Sequence, residues 1–569
     1  MHRAPLERVV FYGVAAIIGF LVVYPVGMMI GGTFLSKSGS FTLEHWADLK
    51  GLVLLWEVLK NTLIVTTSAT MIAIVIGVFL AFLVSRTDIP MSQSFEFISI
   101  VPFITPPIIA GLAWQLLAEK QSGLLNIMLG AMGIDWRFDV MTIVGVTLVS
   151  ALYLIPFVFL ITSGVMRSIN PDLEEASVVT GAGKITTFIR ITMPLLMPGL
   201  TSAALLAFMY SNILFGIHAT LGMPKNIWFL TTAIYQSLSV VPTEINRAAI
   251  LSCILMVFGM LATYMQIRIL AGEQGYETLT GKGFRAKLIP LGRWRWVAWG
   301  ICTFYVFVVI ILPYLVLFLR SMKPFMFVPG MSWADAFTGW QFDKYMLVLT
   351  GEDPLLVASI WHSFILAFSG GVIALMLTSV AAYVITKTDI WGRETLNFLC
   401  MVPFTLPGIV LGVAILWGYT QPAVMLYGTI WILLVAYVTK DLPLGLKSMH
   451  SSFLQVHSEL EESSRVCGAS WRQQFTSITL PLVKPGIVIG FVLTFASILR
   501  EVGASILLYS QGNEVIAYVL WNLWENGENQ TLTAFIMLTT LLTLVVVVVI
   551  LKVGRLKFVE LTRTEVTQS

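Results

Sequence analysis

Residues 173–199 read LEEASVVTGAGKITTFIRITMPLLMPG, and residues 460–486 read LEESSRVCGASWRQQFTSITLPLVKPG. The two stretches align without a gap at an offset of 287, and fourteen of the 27 positions are identical. Glu175/Glu462, Gly181/Gly468, Phe188/Phe475, Pro194/Pro481 and Pro198/Pro485 are among them. A second match lies upstream at an offset of 301. There Thr87-Asp88-Ile89 pairs with Thr388-Asp389-Ile390, Val101-Pro102-Phe103 with Val402-Pro403-Phe404, and Pro106 with Pro407. Two blocks repeated in the same order make the chain a tandem duplication. The offset falls by 14 between them, which places an insertion in the first half, at the polar stretch 119–138.

The sequence around these blocks needs an apolar solvent. Of 569 residues, 57% are hydrophobic and 11% charged, where a soluble protein carries about 25% charged residues. A helix needs roughly 20 mostly apolar residues to cross a bilayer. Runs of that kind lie at 9–35, 61–84, 95–117, 141–166, 193–216 and 248–270. A second series lies at 296–319, 361–385, 396–417, 427–446, 482–508 and 533–551. They are continuous rather than alternating, which excludes a β-barrel. The expected fold is an all-α polytopic membrane protein of about twelve transmembrane helices in two six-helix halves. Six is even, so the halves lie parallel, related by an axis along the membrane normal. The division is 1–271 for the first half, 272–295 for a polar, basic linker, and 296–569 for the second half.

Sorting Lys and Arg by face puts 22 on one side and 10 on the other, with Lys440 and Arg500 left inside spans. The positive-inside rule makes the richer side cytoplasmic, with both termini on it. The first apolar stretch is too long for a signal-peptide core and reads as a retained helix. A net charge of +3 gives no reason to expect nucleic acid. The surrounding partner is membrane lipid.

Each repeated block falls between the fourth and fifth spans of its half, on the cytoplasmic side. Acidic residues come first, as the positive end of a helix dipole favours. A glycine follows, where a turn is easy, and Pro194 or Pro481 opens the next span. The reading is a short helix, a glycine, a second short helix and then a membrane helix. An interfacial loop without a partner would look similar. Two such loops related by a pseudo-two-fold, however, suit a two-fold partner.

Other features carry less. Cys253, Cys302, Cys400 and Cys467 form no CxxC pair and read as small packing residues. Gly275, Gly281 and Lys282 fail the spacing of a phosphate-binding loop, so no nucleotide site is expected here. No Cys/His/carboxylate cluster suggests a metal site, and no nucleophile or acid–base set suggests an enzyme. Charges within spans are costly, at roughly 2.5–3.5 kcal/mol on insertion scales. Lys440-Asp441 and Arg500-Glu501 therefore either line a pathway or pack between helices. His218 is a further pathway candidate, though such a histidine is more often structural.

The block Glu-Ala-Ser-x-x-x-Gly-Ala followed by Phe and Ile-x-x-Pro resembles the EAA loop of binding-protein-dependent ABC importer permeases. The Pro-rich third spans fit as well, so the resemblance covers nearly the whole chain. It implies a type I ABC importer permease fold, with each loop docking into a cleft of an ATPase subunit. The residues carried over for ATPase coupling are Glu175, Ala176 and Gly181, then Glu462, Ser463 and Gly468. Ser463 stands where the family usually has Ala. The resemblance further implies two copies of a separate ATPase that binds ATP and Mg, and a substrate-binding protein on the outer face. It implies the cytoplasmic (inner) membrane of a bacterium, and no cofactor on this chain. A fused two-half permease is most similar to the ferric-iron group, with thiamine and aminoethylphosphonate permeases as relatives. Arg500-Glu501-Val502-Gly503 fits that group. The first half instead reads Ser211-Asn212-Ile213-Leu214-Phe215-Gly216, where an acidic residue is expected near Ile213. A twelve-helix secondary transporter would need coupling acids in midspan and no paired loops.

Overall fold

The computed structural model describes residues 4–35, 39–47, 53–99, 101–169, 171–272, 288–324 and 338–554. Among them there are helices and two isolated bridges, but no strand. Nine of the described helices are long and apolar enough to cross a membrane. They become ten if Arg393–Thr405 and Gly408–Tyr419, bent by 111°, count as one span. The other two of the twelve expected spans are irregular. Pro107–Ala118 has only 12 residues and follows the shorter helices Ser92–Ile98 and Val101–Ile104. Ile430–Leu454 is 25 residues long but carries Lys440, Asp441 and Lys447.

The third span of each half is thus broken, where the hydrophobic pattern suggests one continuous helix. Proline causes the break. It lacks an N–H and disfavours helical geometry in the residue before it. Pro106 and Pro407 adopt ψ of 138° and 145° and start a new helix at Pro107 or Gly408. Such backbone survives at membrane depth only where protein buries it, and Ile108, Ile109, Ile409 and Val410 are all buried.

The duplication is visible in the element ends. Val53–Arg86 and Pro354–Lys387 begin and end 301 residues apart. Pro171–Val179 and Ser458–Val466 begin and end 287 apart. The insertion 119–138 holds a helix, Leu124–Ala131. Asn126 ties it down, donating to the carbonyls of Glu119 and Phe138 at 2.8 Å and accepting from the Phe138 N–H at 2.7 Å. Partial burial opposes ionisation of Glu119. Hydrogen bonds from Ser122 and Gln121 outweigh it and hold the carboxyl below its usual pKa.

The halves interlock. Helix Ala4–Gly32 packs on Gly408–Tyr419 of the other half, and the Tyr24 hydroxyl donates to the Gly418 carbonyl at 2.9 Å. In mirror fashion Leu312–Ser321 packs on Pro107–Ala118. There the Tyr314 hydroxyl meets Thr105 Oγ1 at 2.6 Å. Most of the expected linker, with Gly275, Gly281 and Lys282, lies outside the described residues. Its end is anchored: the Ile289 N–H donates to the Arg86 carbonyl at 2.8 Å, and the Leu291 N–H to Asp88 Oδ1 at 2.8 Å. Cys253, Cys302 and Cys400 are buried, but Cys467 is exposed. It sits past the end of a loop helix, so it is not the packing residue its type suggests.

Candidate functional site

Each repeated loop begins with a nine-residue helix, Pro171–Val179 or Ser458–Val466. Asp172 and Glu174 lie in the first turn of one, Glu459 and Glu461 in that of the other. Gly181 and Gly468 then take left-handed φ of +89° and +81°. The first copy closes as a Schellman motif. The Ala182 N–H reaches the Ser177 carbonyl at 3.1 Å, and the Gly181 N–H reaches Val178 at 3.0 Å. In the second copy the Ala469 N–H reaches Ser464 at 3.1 Å. A Cβ at either glycine would meet nothing within 4 Å. The glycines therefore answer to backbone geometry, not to crowding.

The rest of the loop departs from the sequence expectation. Lys184–Thr187 runs through a π turn, Phe188–Thr192, straight into Met193–Ile213. Trp471–Gln474, Phe475–Thr479 and Leu480–Leu499 repeat this. Pro194 and Pro481 therefore lie inside a continuous helix instead of opening a span. The π turn just before each proline accommodates the hydrogen bond that the ring removes.

Glu175, Ala176, Glu462 and Ser463 are exposed on the loop helices. Glu174 and Glu461, one residue before Glu175 and Glu462, face inward. Glu174 Oε2 lies 3.4 Å from Arg86 Nη1, and its Oε1 accepts from Thr192 Oγ1 at 2.7 Å. Glu461 Oε2 lies 3.5 Å from Lys387 Nζ, and its Oε1 accepts from Thr479 Oγ1 at 3.2 Å. Arg86 and Lys387 are 301 apart; Thr192 and Thr479 are 287 apart. Each half thus ties its loop helix to the end of its second span and to the root of its fifth. At the tips, Val179 and Val466 are 86% and 88% exposed. They too are equivalent in the repeat, and leave matched apolar knobs on one face.

A second constellation lies at membrane depth. The fifth span of the second half ends at Leu499. Arg500 and Glu501 therefore sit at a break, and not inside a helix that continues to 508. Glu501 Oε2 accepts from Lys440 Nζ at 2.9 Å, its Oε1 from the Ala504 N–H at 3.0 Å, and its carbonyl from Ser505 Oγ. Lys440 Nζ also lies 3.1 Å from Ser497 Oγ and 3.7 Å from Asp441 Oδ1. Ser497 Oγ donates to Asp441 Oδ1 at 2.7 Å. Glu501 rests at the N-terminus of Gly408–Tyr419, where the helix dipole favours an anion. A Cβ at Gly408 would overlap that carboxylate. The Arg500 guanidinium is within electrostatic reach of Tyr153 and Tyr210 of the first half, and of Asp441 and Glu501. Lys440 therefore pairs inward and does not snorkel to the surface. His218 does not join this group. It is buried in the first half, with Nδ1 3.3 Å from Thr231 Oγ1 and its ring stacked on Phe229. Among the described residues no three His, Cys, Asp or Glu side chains are placed to hold a metal.

Residues 73–271 and 374–556 match the model of the binding-protein-dependent transport system inner membrane component. The chain belongs to that family. The permease is 26% identical over 535 residues to the ferric transport system permease protein FbpB of Actinobacillus pleuropneumoniae, covering 91% of this chain and 74% of the relative. A putative ferric transport system permease protein of Haemophilus influenzae is 26% identical over 507 residues, covering 88% and 77%. A molybdate/tungstate transport permease of Pyrococcus abyssi is 27% identical over 203 residues, covering 35% of this chain and 81% of its own. The chain is therefore a multi-pass membrane permease component with its family domain repeated.

At the end of the permease opposite the loops, the segments after the fifth spans meet across the halves. The Tyr235 ring of Leu230–Ser239 packs edge-on to Trp521 of Ile516–Glu525, with centroids 4.9 Å apart. Phe215 lies 5.3 Å from the same ring. Trp521 Nε1 donates to the Tyr235 hydroxyl at 2.9 Å, which donates to Glu525 Oε1 at 3.0 Å. This seam joins the halves at that end.

Proposed function

We propose that this chain forms the whole transmembrane pathway of an ATP-driven importer and that its cargo is ferric iron. The observation that carries the importer reading is the pair of loop helices. They are equivalent in the repeat, held by equivalent acid–base–threonine contacts, and tipped by equivalent exposed valines on one face. Two identical ATPase subunits suit that face, one on each loop. ATP and Mg belong to those subunits, and this chain contributes no nucleotide site or cofactor. The Lys/Arg excess on the same side supports a cytoplasmic placement of the loops and both termini. A substrate-binding protein then docks on the opposite face, over the Tyr235–Trp521 seam. The residues proposed for coupling are Glu175, Ala176, Gly181, Glu462, Ser463 and Gly468, and the contacts of Glu174 and Glu461 support a further role for these two as anchors.

The ferric cargo rests on the relatives that span most of the chain. The alternative cargoes are thiamine, an aminoalkylphosphonate or another small polar solute. Uptake in a membrane system with the binding protein, measured with labelled ferric iron against excess of each alternative, separates them. Ferric uptake unaffected by thiamine or aminoalkylphosphonate is expected. Competition by either overturns the cargo assignment. The stoichiometry has its own test. A purified complex should hold two ATPase subunits per chain, and a stable, active complex with one would contradict the docking scheme.

A further inference from the structure

We propose that Lys440, Asp441, Ser497 and Glu501 form a transit site for a hard multivalent cation, and that the Lys440 ammonium takes the cation's place while the pore is empty. The proposal deepens the ferric reading and rests on it for the identity of the cargo.

The geometry is that of an occupied cation site. One ammonium nitrogen lies 2.9 Å from Glu501 Oε2, 3.1 Å from Ser497 Oγ and 3.7 Å from Asp441 Oδ1. Carboxylate and hydroxyl oxygens are the donors that hard cations prefer. The second observation is an orphan. Asp441 is 3% exposed, and its Oδ2 is buried without a hydrogen-bond partner. A charged oxygen left so is expensive, and a cation between the two carboxylates would satisfy it.

The repeat shows that the fold does not require this cluster. At the equivalent positions the first half has Tyr153 for Lys440, Leu154 for Asp441, Tyr210 for Ser497 and Leu214 for Glu501. It also has Pro107 for Gly408, the position whose missing Cβ makes room for the Glu501 carboxylate. Four polar groups and a glycine have changed together in one half. The cluster also lies next to the first half. Tyr153 of the first half is within electrostatic reach of Arg500, the residue before Glu501. Two carboxylates and a hydroxyl hold a cation loosely, as transit requires. The tethered ammonium keeps the carboxylates neutralised between cargoes and moves aside on its four-carbon stem when the cation arrives.

The test uses Tb3+, a redox-inert hard trivalent ion whose luminescence is sensitised by nearby Tyr and Trp, on the full chain in lipid nanodiscs. Lys440→Gln should gain a single Tb3+ site per chain that the wild type lacks. Adding Glu501→Gln or Asp441→Asn should abolish it. Lys440→Gln that inserts normally but binds no more Tb3+ than wild type overturns the proposal. The double variant Lys440→Gln/Glu501→Gln guards against misfolding, because it removes one charge of each sign and leaves Asp441 with the Ser497 hydroxyl and within electrostatic reach of Arg500. A purely structural ion pair would tolerate that replacement. A transit site should instead lose ferric uptake by at least about tenfold at normal membrane abundance, and wild-type uptake overturns the proposal. If the wild-type complex carries no ferric iron while Lys440→Gln still gains its Tb3+ site, the cargo reading fails and the site stands.

Discussion

Gly181 and Gly468 differ from most glycines in a packed membrane protein, because open space surrounds both. Only the left-handed φ constrains them. Asparagine visits that region readily, and a β-branched residue does not. Gly181→Asn and Gly468→Asn should therefore transport nearly as wild type. The valine variants should unwind the loop turn at a cost of about 1–3 kcal/mol. That is small beside the packing of the spans, so membrane abundance should hold while ATP hydrolysis runs without transport. Valine variants with normal uptake would remove the turn from the coupling path. Glu174 and Glu461 offer a second contrast. In the Lys387–Glu461 pair the side chains are 12% and 8% exposed, while in the Arg86–Glu174 pair Glu174 is 25% exposed but Arg86 only 2%. Losing a charged hydrogen bond costs about 1–3 kcal/mol when buried and less in water. Glu174→Gln strands the more buried cation, Arg86, and should thus lower cargo moved per ATP more than Glu461→Gln. Equal effects of the two would argue against burial as the reason. Reading motif spacing picked out Glu175 and Glu462, which face outward, and passed over their neighbours. The signal was present in the repeat. Glu174/Glu461 and Thr192/Thr479 are identical pairs, and a basic residue precedes Thr87 and Thr388 in both copies. Only the fold brings these three positions together.

At the scale of elements, apolar runs located the long helices but not their breaks. Hydrophobicity counts residues and is blind to direction, so the bent third spans read as straight ones. Their prolines held the missing information, since each lies where one helix stops and the next starts. The fifth span of the second half reads as apolar through 508, yet it ends before Arg500, because two charges at a helix end find partners that a helix interior would not offer. The seam between Leu230–Ser239 and Ile516–Glu525 had no signature at all, since it joins residues nearly 290 apart. Its weight falls on Trp521, which is 2% exposed and touches both Phe215 and Tyr235. Trp521→Ala removes a side chain worth about 3–5 kcal/mol in a packed core. It should loosen the closed end and raise ATP hydrolysis in the absence of binding protein. Tyr235→Phe keeps the ring contact and loses only the hydroxyl, so it should do so less. Basal hydrolysis unchanged in Trp521→Ala would mean that the seam is packing and not a closure.

Across the whole molecule, the duplication explains most of what the chain is. Two halves of one design, each reaching its first span across to the other's third, leave an axis between them and a matched pair of loops at one end. Two departures from symmetry bear most on function: the insertion at 119–138, and the charge cluster that the second half carries. The first is pinned by one asparagine. The second lies next to the first half's Tyr153 and Tyr210 and is where the cation site is proposed. The pathway, the loops and the seam belong to one account, in which ATP bound by partner subunits moves the halves about that axis. The measurement that tests this most directly is ferric uptake into proteoliposomes holding this chain and its ATPase, supplied with iron-loaded binding protein. Uptake should start with ATP in the loop-facing compartment and stop without it or without the binding protein. Uptake that continues without ATP, driven by an ion gradient, would contradict it.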